Sequence, residues 1–182
     1  MNHYVFDCPR VKQQVLICLG LMGKPNFVMQ HDRMKVAGFF HGTSGAGKSE
    51  LINAMANLFE PSDVANLDSK CHPLWWLTNL VGKFWVQCTE LGDKTNVDPE
   101  VMKNMIDGSL VTVKTRNKDE YDMFWQAMLW ICSNKFSMRD NKGSVLRRLA
   151  AFLFTIVPQH RNMSLDSTIR EQSPAFLART LQ

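Results

Sequence analysis

The sequence contains no run of about 18 uncharged apolar residues, the length a membrane-spanning helix needs. Its first ten residues, Met1 to Arg10, lack the basic-then-apolar order of a secretion signal. It also lacks any C-x-x-C pair. The cysteines Cys8, Cys18, Cys71, Cys88 and Cys132 are odd in number and scattered, which argues against a disulfide framework or a structural zinc site. Cys71-His72 is the only close Cys/His pair and reads as two buried or half-buried residues. Long repeats and low-complexity tracts are missing as well. These absences predict a soluble protein of a reducing, intracellular compartment. Charge of neither sign dominates: 21 Lys and Arg stand against 17 Asp and Glu. The resulting +4 permits nucleic-acid binding without arguing for it, so the placement of the basic residues must decide.

What is present is a chain of 182 residues, 45% of them hydrophobic, which suffices for one domain with a real core. Val11 to Leu21 reads as a helix that Gly23-Lys24-Pro25 ends. Val36 to Phe40 is a short apolar run of the kind found in buried strands. Leu51, Ala54, Met55, Leu58 and Phe59 then share one helical face, with Glu60-Pro61 as the stop. Asp63 to Leu67 is a weak strand candidate, His72 to Leu80 a helical one, and Phe84 to Thr89 a second buried strand. Asp98-Pro99-Glu100 opens a helix, with Asp98 as cap, that runs to about Ile106. Leu110 to Thr115 and Asp119 to Phe124 form a hairpin around Arg116-Asn117-Lys118. Met128 to Cys132 and Phe152 to Val157 are further buried strands, the last closed by Pro158. Strands alternating with helical stretches predict an α/β layered sheet. The divisions are an N-terminal helical segment (1–35), a core (36–158) and a polar C-terminal tail (159–182).

The segment Gly42-Thr43-Ser44-Gly45-Ala46-Gly47-Lys48-Ser49 has the spacing G-x-x-x-x-G-K-S. Its glycines let successive backbone N–H groups turn inward around phosphates. Lys48 is placed to reach the β and γ phosphates, and the Ser49 hydroxyl to ligate magnesium. The helix that starts near Gly47 adds its N-terminal dipole. A strand before and an amphipathic helix after set this pattern apart from a glycine-rich surface turn. The cofactors expected are therefore ATP and Mg2+.

Such a loop needs a carboxylate at the end of a neighbouring strand to hold magnesium and orient the attacking water. Glu90, ending the run Phe84 to Thr89, is the first choice, and Asp93 the second. Asn134, at the end of the Met128 to Cys132 strand, is an amide that can serve the attacking water or the γ-phosphate; by itself it reads first as a turn residue.

In this order the segments resemble the ATPase core of the superfamily 3 helicases, AAA+-type ring motors of viruses, phages and plasmids. Phe39 to Ser49 resembles that family's Walker A, Phe84 to Glu90 its Walker B, and Leu129 to Asn134 its sensor strand. Gly108 to Phe124 resembles the motif between Walker B and the sensor. Arg139 to Leu149, followed by an apolar strand, is similar to the ending found in primase-helicases of phages and of poxvirus-type large DNA viruses, and the helix end Leu19 to Gly23 is similar to that group too. The resemblance spans about residues 10 to 158. It implies a three-layer P-loop sandwich with a mostly parallel central sheet behind a short N-terminal helical segment. It also implies ATP-driven translocation on single-stranded DNA, assembly into a ring, expected as a hexamer, and a place in the cytoplasm or nucleus of an infected cell. One departure stands out: Walker B usually ends in two acids and here reads Thr89-Glu90, which puts the hydrolysis rate in question and leaves Glu90 with both tasks. Room for the upstream primase and collar is lacking, as in a fragment, a stripped-down core or one subunit of a split enzyme.

Lys114, Arg116 and Lys118 lie two residues apart, so an extended chain carries them on one face. They make either a cationic tip that tracks a single-stranded phosphate backbone, as the resemblance implies, or charges guarding a sheet edge. The resemblance likewise casts Arg147 or Arg148 as a finger acting on a neighbouring subunit's γ-phosphate; the other reading is a solvated pair or a salt bridge with Asp140. Two rival functions keep the loop and drop the motor: a small-molecule or nucleotide kinase, and an ATP-binding assembly subunit with weak hydrolysis.

Overall fold

The computed structural model describes residues 35–67, 76–89, 97–115, 119–134 and 143–160, together with isolated positions beyond 163. The strands are β1 (Ala37–Gly42), β2 (Val64–Asn66), β3 (Trp85–Cys88), β4 (Leu110–Val113), β5 (Tyr121–Phe124), β6 (Met128–Ser133) and β7 (Leu149–Phe154). The α-helices α1 (Lys48–Ala56) and α2 (Pro99–Asp107) accompany them, with short 3₁₀ turns at Pro61–Asp63, Trp76–Leu80 and Leu146–Arg148, and helical residues recur beyond 163.

Five strands form one sheet in the order β2-β3-β6-β1-β7. Every pairing in it is parallel. A parallel sheet is covered on both faces, which is why its strands read as continuous apolar runs without polar alternation. On one face Phe40, Trp85, Met128, Trp130, Cys132 and Phe152 pack with Ile52, Met55 and Ala56 of α1. On the other, Phe39, Val86, Leu129 and Ile131 pack with Met102, Met105 and Ile106 of α2 and with Trp76, Leu77 and Leu80. The first face carries an aromatic stack: Phe59 lies 5.4 Å from Trp85, Trp85 5.6 Å from Trp130, and Trp130 6.4 Å from Phe152, by ring centroids. The result is the expected α/β architecture with a parallel central sheet. No helix among the described residues is long and apolar enough to cross a membrane.

Helix α2 begins as its residues dictate: the Asp98 side chain accepts from the Glu100 N–H at 2.8 Å, and Pro99 takes the first position. The predicted hairpin is present as β4 and β5, an antiparallel pair forming a sheet of its own. Three expectations shift. Helix α1 ends at Ala56, short of Phe59, because Leu58 and Phe59 donate to Met55 and Ala56 in tighter i→i+3 bonds, which turns the Phe59 ring onto Trp85. Trp76–Leu80 is 3₁₀, not α. Strand β7 starts at Leu149 and ends at Phe154, three residues earlier than Phe152 to Val157. Pairing with β1 runs from Ala37–Leu149 to Gly42–Phe154 and stops where β1 becomes a loop, so Ile156 is left 81% exposed. The predicted helix Val11 to Leu21 and the pair Cys71-His72 lie outside the described residues.

Candidate functional site

Strand β1 sits between β6 and β7, and the glycine-rich loop leaves its carboxyl end. In open α/β sheets that is where ligands bind. Gly42 turns the chain with φ 126°, a backbone state in which L side chains are strained. A Cβ there would also lie 2.1 Å from the Phe154 carbonyl oxygen. The Thr43 N–H donates to that same oxygen at 2.8 Å, fixing the start of the loop to the end of β7. Gly47, with φ 84°, precedes α1, and no side chain caps the helix start. The first-turn N–H groups and the positive end of the helix dipole are thereby left for an anion.

Lys48 opens α1 and is only 6% exposed. Its ammonium donates to the carbonyls of Gly42 at 3.1 Å and Thr43 at 2.7 Å, and to Asn134 Oδ1 at 2.9 Å. Residues 86 positions apart thus meet because β6 lies next to β1, with His41 opposite Ser133 in register. The resemblance assigned both residues to one site, and here they touch. Ser49 Oγ stands 3.7 Å from Cys132 Sγ beneath the loop. Burial pushes the Cys132 thiol above its ordinary value; the hydrogen bond to Ser49 and the nearby Lys48 charge work the other way.

Thr89, half-buried, follows the end of β3; Glu90 and Asp93 lie outside the described residues. A link that sequence reading missed runs from buried β3 to Asn53 on α1. Trp85 Nε1 donates to Gln87 Oε1 at 3.1 Å, and Gln87 Nε2 donates to Asn53 Oδ1 at 3.0 Å. A glutamine inside an apolar strand was the available signal, since a buried amide must find partners.

Arg147 and Arg148 differ sharply. Arg148 grips Asp107 with Nε on Oδ1 at 2.7 Å and Nη2 on Oδ2 at 2.9 Å, while Nη1 donates to the Ser144 carbonyl at 2.7 Å. Arg147 is exposed, its Nε donating to the Gly143 carbonyl of its own turn at 3.2 Å. The expected alternative partner, Asp140, lies outside the described residues. Nothing in the local sequence marks Asp107, which reads as a turn residue before Gly108.

On the hairpin, Lys114 pairs with Glu120 across the strands at 3.0 Å, both half-exposed. Arg116 and Lys118 lie outside the described residues. Tyr121 and Phe124 expose 43% and 56% of their surface on β5, two aromatic faces that the basic spacing did not point to.

A glycine-rich loop between a buried parallel strand and a helix, with its lysine on the neighbouring strand's terminal amide, defines an α/β protein of the phosphate-loop type. The chain belongs to DUF5906, described as a family of unknown function, whose model matches residues 40–148. No curated protein matches the chain. Among solved structures the fold is similar to an apo structure of the NrS-1 C-terminal region (TM-score 0.65, 20% identity), over 95% of this chain and 42% of that one. The A form of that region is similar too (TM-score 0.62, 19% identity), over 94% and 45%. So is the JCV helicase in a complex with a thiazolopyridine compound (TM-score 0.55, 14% identity), over 96% and 49%. The fold is thus helicase-like, and the chain spans less than half the length of each of these structures.

Proposed function

We propose that this chain is the ATP-hydrolysing core of a DNA helicase or translocase from a viral or mobile-element replication protein, working as a ring of copies. The observation that carries the reading is the meeting of Lys48 with Asn134 at the mouth of a glycine loop. The loop fits a triphosphate: Gly42, Gly45 and Gly47 all have positive φ, the helix start is uncapped, and Lys48 is already directed into the turn by three oxygens. Mg-ATP, when bound, supplies the phosphoanhydride whose cleavage drives the cycle.

The chain's own residues divide the remaining work. Backbone N–H groups of residues 44, 45 and 47–49 would hold phosphate oxygens, the Thr43 N–H staying with Phe154, and Lys48 would turn from its carbonyl partners to the β and γ phosphates. The Ser49 hydroxyl oxygen would be a ligand to magnesium. Glu90 would be the carboxylate that helps hold magnesium and accepts the proton of the attacking water. Asn134, already within reach of Lys48, orients that water or the γ-phosphate. Arg147, exposed, neutralises charge in a neighbouring copy's site, while Arg148 stays with Asp107. Arg116 and Lys118, with Lys114, track the DNA backbone, and Tyr121 and Phe124 offer faces for base stacking.

The test is phosphate release by the wild-type chain and by Lys48→Ala, with and without single-stranded DNA. The reading predicts turnover that DNA stimulates and that the substitution abolishes. Phosphate appearing on a small acceptor instead would make the chain a kinase, and turnover indifferent to DNA would leave a generic ATPase.

A further inference from the structure

The hairpin and the arginine turn are far apart in sequence yet share one anchor. Asp107 ends α2 and Gly108 closes it with φ 64°; β4 starts at Leu110. The far end of the hairpin returns to the same place, since the Trp125 N–H donates to the Ser109 carbonyl at 3.1 Å. Both legs of the hairpin therefore hang from the Asp107–Ser109 turn. The Asp107 side chain is only 8% exposed, and both its oxygens are taken by the planar fork of Arg148. Arg148 in turn ties down the 3₁₀ turn that presents Arg147, through its bond to the Ser144 carbonyl. From that turn the chain runs straight into β7, whose last carbonyl receives the Thr43 N–H of the phosphate loop. A rigid two-pronged contact thus stands between the element that would carry DNA and the elements that would carry hydrolysis.

We propose that the Asp107–Arg148 fork is a positioning contact that couples single-stranded DNA on the β4–β5 hairpin to the placement of Arg147 and of the phosphate loop. This rests on the functional reading above. Asp107 touches neither nucleotide nor DNA; it acts through Arg148. A hairpin displaced by DNA moves the Asp107–Ser109 turn, and a bidentate pair transmits that movement where a single flexible contact would absorb it.

The experiment compares wild type, Asp107→Asn and Asp107→Glu in the full chain, with a thymidine oligonucleotide as probe. Asparagine keeps the shape but turns one oxygen into a donor facing the guanidinium, which breaks the fork. The ratio of DNA-stimulated to basal turnover should fall roughly three- to thirtyfold in Asp107→Asn. Affinities for nucleotide and oligonucleotide should stay near wild type, and Asp107→Glu, which keeps the carboxylate, should retain part of the stimulation. A merely structural role would lower thermal stability and leave that ratio alone. Hydrogen–deuterium exchange on the unmodified chain supplies the second arm: adding the oligonucleotide should change protection across residues 143–150. Should neither variant fold, this arm decides. Stimulation equal to wild type in Asp107→Asn, or exchange unchanged at 143–150 despite bound oligonucleotide, overturns the coupling and leaves the motor reading standing. A wild-type chain that neither binds the oligonucleotide nor responds to it overturns both.

Discussion

Lys48 makes three hydrogen bonds within its own site, and no other lysine is brought to the loop among the described residues. Lys48→Ala should therefore abolish hydrolysis and weaken nucleotide binding, with kcat down about 10²-fold or more. Titration with a fluorescent ATP analogue beside a phosphate-release assay checks both. Glu90→Gln should bind nucleotide and turn over poorly, because an amide accepts no proton; a larger loss from Asp93→Asn would move the catalytic acid to Asp93. The two arginines should separate cleanly. Arg147→Ala should cost about 10³ in turnover at unchanged melting temperature. Arg148→Ala strands the Asp107 carboxylate and should lower stability by about 3 kcal/mol, read as a shift in thermal unfolding. At Cys132 burial holds the thiol protonated at neutral pH, so alkylation should be slow there and accelerate only in alkaline solution.

At the level of elements, the hairpin is where charge and structure part company. Lys114 is already paired with Glu120, and an exposed pair of that kind contributes little either way. Lys114→Ala alone should barely change DNA affinity. Replacing Lys114, Arg116 and Lys118 together should weaken binding and flatten its salt dependence by about two contacts per engaged copy, with basal hydrolysis nearly intact. Fluorescence anisotropy over a salt series measures this, and superimposable curves would remove the hairpin from DNA tracking. The elements themselves were largely legible. Six of the seven strands among the described residues fall where apolar runs or alternation put them, and Asp98 caps α2 as its position before Pro99 requires. The shift at β7 has a plain cause. The stretch from Leu149 to Val157 is apolar but for Thr155, so hydrophobicity does not say which six residues enter the sheet; the register with β1, ending at Gly42, decides. Long-range polar partners were invisible for a related reason. Lys48 and Asn134 could be assigned to one site by motif order, but no local pattern pairs Asp107 with Arg148 or Gln87 with Asn53.

For the whole molecule, the proposed hydrolysis needs the phosphate loop, Glu90 and Asn134 of one copy and an arginine from a second. Arg147 suits that task by its exposure and by the anchoring of its neighbour. Mixing tests this account most directly. Arg147→Ala copies keep their phosphate loop and Lys48→Ala copies keep their arginine, and each variant alone should be nearly inactive. Combined, with mixed assembly verified by native mass measurement in a non-hydrolysable ATP analogue, they should recover partial DNA-stimulated turnover, because some interfaces pair an intact loop with an intact arginine. No recovery at any ratio, in rings shown to contain both variants, would contradict an ATP site shared between copies.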